Sequence, residues 1–514
     1  MIDVRTAMRR AAGFHRDRPA VTAGGRTLTF AEAWERGVRF ANALISLGAK
    51  PGDRIAVLED NVLASSDFFL GTAISNTVRV PLYRRNSEEA HRHMLQQSGS
   101  SILVVGAEQY DEVRDLEGRL DGLQHVIVRD EGYERWLAGF PATDPDPEIS
   151  PGDFYVIRHS AGTTGIPKGI AFTHEAWMNT ERNWTYGLPP FAAGNHAIHV
   201  GPISHGSGYL FVPMWLAGGC NVLEPRFDPE RLMRLIAELG GTYVFGVPTM
   251  LADLVKKVGG AGRDVSGLKA FVLGGAPIDR RTIIAARDLL GPKLYQMFGQ
   301  TECVPGTWIG PEDWFGAFPG SDPLACAGRI MPYTEIEIRD EHNHPLPPGE
   351  IGEIALRSDG QMTLIWADPE LTAKRLVDGW VLTGDIGRID ENGFLYLHDR
   401  KDELIISGGF NIWPAELESV IMDLPGVQEV AVFGIPSERW GESPMAMVVV
   451  TPGAALTEQE VTEACRVRLG SYKKPAAVEI RTDGLPRTPL GKISRKQLRA
   501  PYWAGRATTL GAST

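Results

Sequence analysis

The chain has 514 residues, with 52 Lys+Arg against 64 Asp+Glu and a formal net charge of −12. Its 43% hydrophobic and 23% charged residues exclude disorder over most of the length, because there is ample apolar side chain to bury. The overall acidity excludes a general nucleic-acid binder, and the length exceeds one ordinary domain. The charge is uneven: residues 466–506 hold eleven Lys/Arg and two Asp/Glu, a local +9 that leaves −21 for the rest. A basic tail on an acidic body points to a polyanionic ligand.

The first residues, MIDVRTAMRRAAGFHRDRP, place charge where a secretion signal needs an apolar core. No apolar run reaches the ~18 residues of a membrane span. A cytoplasmic protein without integral membrane association is expected. Residues 30–49 show helical apolar spacing at Phe30, Trp34, Val38, Ala41, Leu44 and Ile45, and the turn Pro51–Asp53 ends that unit. Strand-like runs follow at Arg54–Glu59, Ser101–Gly106, Tyr155–Ile157, Ala197–Val200, Tyr243–Val247 and Phe271–Leu273, alternating with helix-like stretches. That alternation predicts layered α/β sheets. After residue 325 or so, short strands (Glu335–Ile338, Gly352–Leu356, Phe394–Leu397) between turn residues predict a β-rich subdomain. From about residue 400 the pattern is strand (Glu403–Ser407), helix (Pro414–Asp423), two strands (Glu429–Gly434, Ala446–Val450) and helix (Thr457–Leu469), a compact α+β unit. The four cysteines (Cys220, Cys303, Cys326, Cys465) form no CxxC pair, so neither a zinc site nor a redox motif is supported.

The sharpest local feature is His159-Ser-Ala-Gly-Thr-Thr-Gly-Ile-Pro-Lys-Gly169, with three glycines, three hydroxyl residues and one lysine in eleven positions after a strand-like run. Glycines let backbone N–H groups turn toward an anion, and the hydroxyls and ammonium add donors. It is not a Walker loop, because Lys168 is preceded by Pro167 and followed by Gly169. A dinucleotide fingerprint and a GxSxG nucleophile elbow are absent too. Three further clusters accompany the loop: Gly274-Gly-Ala-Pro277, Tyr295-Gln-Met-Phe-Gly-Gln-Thr-Glu302 and Thr383-Gly-Asp385.

In order and spacing these motifs resemble the adenylate-forming superfamily of acyl-CoA synthetases, peptide adenylation domains and luciferases. The resemblance runs from Leu28-Thr-Phe-Ala-Glu32 through Gly387-Arg-Ile-Asp-Glu-Asn-Gly393 and Asp399–Ile412 to Pro486-Arg-Thr-Pro-Leu-Gly-Lys492. It implies a large N-terminal adenylation domain (1–400) and a small mobile C-terminal domain (401–514). It also implies roles for particular residues. Ser160, Ala161, Gly162, Thr163, Thr164, Gly165 and Lys168 would hold the β- and γ-phosphates of ATP. Gly274, Gly275, Ala276, Pro277 and Phe298, with Gly299 beside it, would pack on the adenine. Thr301 would touch the α-phosphate and Glu302 would ligate Mg2+. Asp385, helped by Arg400, would accept hydrogen bonds from the ribose. Lys492 would bridge the α-phosphate and the substrate carboxylate. Asp402 would be the hinge, and Gly408 and Gly409 would line the pantetheine tunnel for CoA.

The implied chemistry suits these groups. A carboxylate is a poor acyl donor until attack on the α-phosphate turns it into a mixed anhydride with AMP. Two anions must meet, so positive charge and alignment matter more than a protein nucleophile. The resemblance places the acyl pocket near His205, Gly206, Tyr209, Gly246, Val247, Met297 and Val304. No acidic residue in these segments is poised for an α-amino group, so a plain carboxylic acid is expected. Gly206, Gly208 and Gly246 are expected to leave volume for a medium-to-long or bulky cyclic acid. Three departures stand out: Ala161 replaces the family's frequent serine, Arg158-His159 replaces a hydrophobic-Thr pair, and Phe410 falls in the Gly-Gly-x-Asn stretch where a polar residue is common. Two alternatives stay open: loading of a carrier-protein pantetheine in trans, and specialisation for one half-reaction. The sequence leaves a homo-oligomer open.

Overall fold

The computed structural model describes residues 3–59, 61–84, 86–116, 118–160, 167–259, 262–400, 403–407, 410–488 and 493–504. The chain divides into two compact units. The first comprises Met1–Ile336, Ala355–Leu382 and Asn392–Leu395; the second comprises Glu337–Ile354, Thr383–Glu391 and Tyr396–Thr514.

Two large sheets build the first unit. In the nine-stranded sheet, the strands Leu294–Gln300, Leu268–Leu273, Thr242–Gly246, His196–His199, Cys220–Leu223 and Pro19–Ala23 run parallel in that spatial order. Antiparallel strands close both edges, Cys303–Ile309 and Arg329–Ile330 at one and Arg26–Thr29 at the other. The seven-stranded sheet carries Arg54–Glu59 near its centre, between Val78–Tyr83 and Ile102–Gly106. Val78–Tyr83 and Ile102–Gly106 are buried throughout, as are Ile55, Ala56, Val57 and Leu58 between them, in keeping with near-continuous apolar sequence in parallel sheets. Its far side is the antiparallel hairpin Phe154–Ser160/Lys168–Thr173, extended by Leu364–Ile365.

Local sequence explains the helices. Phe30–Ser46 starts with a capping box, in which Thr29 and Glu32 satisfy each other's backbone N–H groups. Its buried stripe is centred on Ala33, Gly37, Phe40, Ala41 and Leu44. Ile45, predicted on the apolar face, is 44% exposed. It lies in the last turn, one residue before the helix ends at Ser46, where its direction, shared with Ala41 and Val38, no longer meets the core. Glu88–Ser98 is capped by the Ser87 hydroxyl and ended by Gly99 in the left-handed region.

A five-stranded sheet contains Thr334–Arg339, Gly352–Ser358, Trp380–Ile389, Leu376–Val377 and Leu395–Arg400. In the second unit the long hairpin Val427–Ser437/Gly441–Val450 takes Ala477–Arg481 as a parallel neighbour and Ile405–Ser407 as an antiparallel one. Helices Pro414–Met422 and Glu458–Leu469 supply Leu417, Val420, Ile421, Val461 and Cys465 to its core. The architecture is the mixed α/β fold with a smaller α+β unit that the sequence pattern predicts. Among the described residues, no helix is long and apolar enough to cross a membrane.

Candidate active site

Neighbouring parallel strands deliver the predicted motifs together. The carboxyl ends of His196–His199, Thr242–Gly246, Leu268–Leu273 and Leu294–Gln300 lead into His205, Val247, Gly274–Pro277 and Gly299–Thr301 respectively. Ligands of open α/β sheets bind beyond such strand ends.

The stem of the phosphate-type loop is well braced. Ser160 and Lys168 face each other at the end of the hairpin, followed inward by His159 opposite Gly169. Residues 161–166, with Ala161, Gly162, Thr163, Thr164 and Gly165, lie outside the described residues. Two residues one turn apart on helix Glu88–Ser98 hold the lysine side of the stem. The Gly169 N–H donates to Gln97 Oε1 at 3.1 Å, and His93 Nε2 lies 3.0 Å from the Pro167 carbonyl. A strap crosses the other side: the Thr363 N–H donates to the Ala171 carbonyl at 2.9 Å, and the Trp366 N–H to Gly169 at 2.7 Å. The same strap reaches the second predicted contact, because the Met362 N–H donates to the Glu302 carbonyl at 2.7 Å.

Thr301 and Glu302 form the two-residue connection of the hairpin Leu294–Gln300/Cys303–Ile309, with Gln300 opposite Cys303. Glu302 is buried and Thr301 half-buried. Among the described residues no three His, Cys, Asp or Glu side chains gather as a protein cage for a metal. Mg2+ in nucleotide sites needs only one or two carboxylates beside the phosphates, and Glu302 offers one. On the preceding turn, Gly275 takes φ = +84°, a backbone that favours glycine, just where Gly274 meets Met297 and Phe245.

In the second unit, Asp385 is buried on strand Trp380–Ile389. Thr383 orders this stretch: its hydroxyl donates to the Ile354 carbonyl at 2.7 Å and accepts from the Asp385 N–H at 3.0 Å. Gly384, at φ = +70°, donates its N–H to Glu353. Arg400 ends its strand, and its side chain lies outside the described set; Asp402, Gly408, Gly409 and Lys492 lie outside the described residues.

The predicted acyl residues converge on a buried aromatic cluster. Tyr209 is stacked with Trp184 at 4.7 Å between centroids and with Trp177 at 5.5 Å. Phe245 and Trp308 meet Trp184 edge-on. Phe245 also covers Gly206, Met297 covers Gly274, and Val304 packs on Gly299. Val247 reaches Gly275 at 4.0 Å from an added Cβ. The His205 ring lies 5.0 Å from that of Tyr83. One expectation is corrected here: the three glycines do not leave open volume. A Cβ at Gly206 would overlap Phe245, one at Gly208 would overlap the Ile203 carbonyl, and one at Gly246 would come within 2.8 Å of Phe271. These glycines admit close packing of their neighbours, and the space is already taken.

The Arg158–His159 departure is built into this cluster. The Arg158 guanidinium lies 4.1 Å over the Tyr209 ring and donates to the Ser204 carbonyl at 3.2 Å. Burial, reinforced by the Arg158 charge, pushes His205 down to about 3, so its imidazole is neutral. Burial does the same to His159, also about 3, with His93 and His205 adding to the shift; neither His159 nitrogen has a hydrogen-bond partner.

Sequence reading missed Glu181. It sits on helix His174–Tyr186, one turn after Trp177, and is 3% exposed with the Trp177 indole N–H as its polar neighbour. Burial raises its pKa well above the ordinary range; the Arg158 charge, the Trp177 hydrogen bond and the Arg79 charge pull the other way without prevailing. The signal was an acid within the spacing Trp177, Thr180, Glu181, Trp184, which is otherwise a core-facing stripe. Beside this helix lies a cavity of about 570 Å³ bounded by Met178, Glu181, Tyr186, Phe191, Pro213 and Leu216 among others.

Comparison with known proteins places this geometry. Residues 8–366 match the AMP-binding enzyme family and residues 416–492 the AMP-binding enzyme C-terminal domain. A fatty acid–[acyl-carrier-protein] ligase, ScoC of Streptomyces coeruleorubidus, is 32% identical over 95% of this chain and 94% of its own. A feruloyl-CoA synthase of Amycolatopsis sp is 34% identical over 94% and 96% respectively. The crystal structure of ATP-bound MatB from Rhodopseudomonas palustris superposes with a TM-score of 0.87 at 27% identity, covering 98% of this chain and 99% of that one. The chain therefore belongs to the AMP-binding enzyme family, as an ATP-dependent enzyme of the acyl-CoA synthetase type.

Proposed function

We propose that the protein activates a medium- or long-chain, or bulky cyclic, carboxylic acid with ATP and transfers the acyl group to CoA. In the first step a carboxylate oxygen attacks the α-phosphorus, the bond to the β-phosphate oxygen breaks, and pyrophosphate leaves. In the second step the thiol sulfur attacks the acyl carbon, the thiol proton is lost, and AMP departs with the bonding pair. The observation that carries the reading is the strap Met362–Trp366, which hydrogen-bonds both the Thr301–Glu302 turn of one sheet and the loop stem of the other, together with a buried, predominantly aromatic cluster. The neutral His205 and the aromatic wall suit an apolar acyl group.

Ser160, the loop 161–165 and Lys168 would hold the outer phosphates; Gly274–Pro277, Phe298 and Gly299 the adenine; Asp385 and Arg400 the ribose. Mg2+ on Glu302 would supply positive charge where phosphorus gathers negative charge. Lys492 would supply the rest from a mobile domain, 401–514, hinged at Asp402, with Gly408 and Gly409 beside the pantetheine. The ScoC relationship favours one second reading, in which a carrier-protein pantetheine replaces CoA.

The deciding experiment measures acid-dependent pyrophosphate release across an acid panel, then thioester formation with CoA and with holo-carrier protein. Response to acetate or amino acids alone would refute the acid class. Lys492→Ala is expected to lose acyl-AMP formation by ~10²–10³-fold while still thiolating preformed acyl-AMP. Near-normal pyrophosphate release by that variant would remove Lys492 from the site.

A further inference from the structure

We infer that Arg495 is a positioning residue for the first half-reaction: it ties the segment that carries Lys492 to Glu403, the residue after the proposed hinge Asp402, so that the two move as one lever. This rests on the reading of Lys492 as the lysine of acyl-AMP formation and adds to it the residues that aim that lysine. Lys492 lies outside the described residues, but both ends of its segment lie inside them, in the second unit. Arg487 and Ile493 pair as an antiparallel bridge, and the Ser494 N–H donates to the Pro486 carbonyl at 2.8 Å, so the chain leaves and returns through one closed stem. Glu429 fastens the outgoing limb: it accepts from the Leu485 N–H at 3.2 Å and from Arg487 Nη2 at 2.6 Å. Arg495 fastens the returning limb. Its Nε and Nη2 donate to the two oxygens of Glu418 at 3.0 and 2.5 Å, and its Nη1 donates to Glu403. Glu418 also accepts from the Val432 N–H at 2.7 Å, on the edge strand Val427–Ser437.

Helix Arg495–Trp503 does not need Arg495 to stay in place. Leu498 is buried in one cluster with Phe433 and Met445. Arg499 donates to the fully buried Glu442 at 2.8 Å, and Trp503 Nε1 to the Gly434 carbonyl at 2.9 Å. What Arg495 adds is direction. Its helix packs on the face of the hairpin that carries Phe433 and Met445, whereas helix Pro414–Met422, which bears Glu418, packs on the opposite face with Val432 and Ala446. Arg495 therefore joins, around the strand edge, both layers and the chain just past the hinge. A guanidinium fork fixes angles that a single point charge leaves loose. A lysine that acts on a reacting phosphorus needs such placement, since an error of ~1 Å costs on the order of 10²-fold in rate. In the proposed second step Lys492 takes no part, so this support bears on one half-reaction only.

The test measures the half-reactions separately with the full-length protein: pyrophosphate release with dodecanoic and with cinnamic acid, and thioester formation from the matching preformed acyl-AMP and CoA. Arg495→Met is expected to lower kcat for the first by ~10–10²-fold and to leave the second within ~2-fold. Arg495→Lys keeps the charge without the fork and is expected to recover only part of the loss. Glu403→Gln should show a smaller loss of the same kind, and adding it to Arg495→Met should cost nothing further, because both cut one link. A loss shared equally by the two half-reactions, with a lowered thermal midpoint, would make Arg495 a residue of stability alone and overturn the inference. Unchanged pyrophosphate release, or a loss confined to thiolation, would overturn it too. If Arg495→Met fails to fold, Glu403→Gln, which leaves the Glu418 pair in place, decides by the same split. Lys492→Ala runs alongside. Its normal pyrophosphate release would defeat the parent reading, whereas its loss beside an unimpaired Arg495→Met defeats only the positioning role. Release with neither acid by the unaltered protein would defeat both, since no adenylation would remain to be positioned.

Discussion

Gly206 shows how one position can govern the acyl side of the site. Its missing Cβ is the space into which Phe245 packs, and Phe245 in turn touches Trp184 and faces Gly274. Gly206→Ala would displace Phe245 toward those neighbours. We expect the overpacking to cost ~1–3 kcal/mol of stability and to raise the KM for acid several-fold with little change in the KM for ATP. Thermal unfolding and initial-rate kinetics check this; an unchanged acid KM would detach Gly206 from the acyl pocket. At this scale the sequence was informative about backbone-driven motifs and poor about volume. Gly206 and Gly246 were recognised as special, but whether a glycine opens space or receives a neighbour depends on Phe245 and Phe271, which no local pattern places there. Glu181 was hidden for a related reason: a helix-spacing argument describes which face a residue occupies, not whether its polar atoms find partners.

Among elements, the hairpin bearing the phosphate-type loop depends on supports distant in sequence. Gln97 is 72 residues from the Gly169 N–H it accepts. Gln97→Leu removes that acceptor and leaves a buried donor, which costs ~1–3 kcal/mol. We expect a KM for ATP raised ~5–10-fold, since part of that loss falls on loop placement, and a kcat changed much less. An unaltered ATP KM would show that the strap from Thr363 to Trp366 is sufficient support. The loop itself was legible because glycine and hydroxyl density is a local property. Its props were not, because His93, Gln97 and Trp366 are unremarkable residues made relevant only by the sheet. Strand positions were nearly legible in the parallel sheets, where central strands such as Ile102–Gly106 match continuous apolar runs. Helix margins were least so, as Ile45 shows.

For the molecule as a whole, six histidines whose pKa values burial lowers, His91 and His398 among them, make stability depend on pH. Burial holds His159 and His205 near 3 and His174 and His199 near 4. His174 Nδ1 accepts from the Val4 N–H, and His199 sits between Ser207 and Asn221. An unfolded histidine protonates near 6.5, so between that value and the folded ones the unfolded chain binds more protons. Stability is therefore full above about pH 6.5 and falls as pH drops, by up to ~1.4 kcal/mol per pH unit for each histidine. Glu181 acts in the opposite sense: its folded pKa is raised, so its contribution falls as pH climbs above the ordinary carboxylate range. Asp67 is raised in the same way, so among the described residues six such histidines stand against two carboxyls, which gives the net sign. Urea unfolding at pH 7.5 and 5.5, values chosen to bracket a free histidine, should show a clear loss at the lower pH; equal stabilities would mean these rings have access to protons in the folded state. Charge asymmetry was visible at this scale from the start, since the +9 stretch lies wholly within the second unit.

The strap has a mechanical consequence. Met362 is fastened to the Glu302 turn, and Thr363 and Trp366 to the hairpin behind Lys168. Five consecutive residues thus work as a calliper whose jaws are the two proposed phosphate contacts, one for the α-phosphate end and one for the outer pair. A jaw spacing fixed by main-chain hydrogen bonds is a gauge of polyphosphate length, so a nucleotide with a shorter phosphate chain would engage one jaw and miss the other.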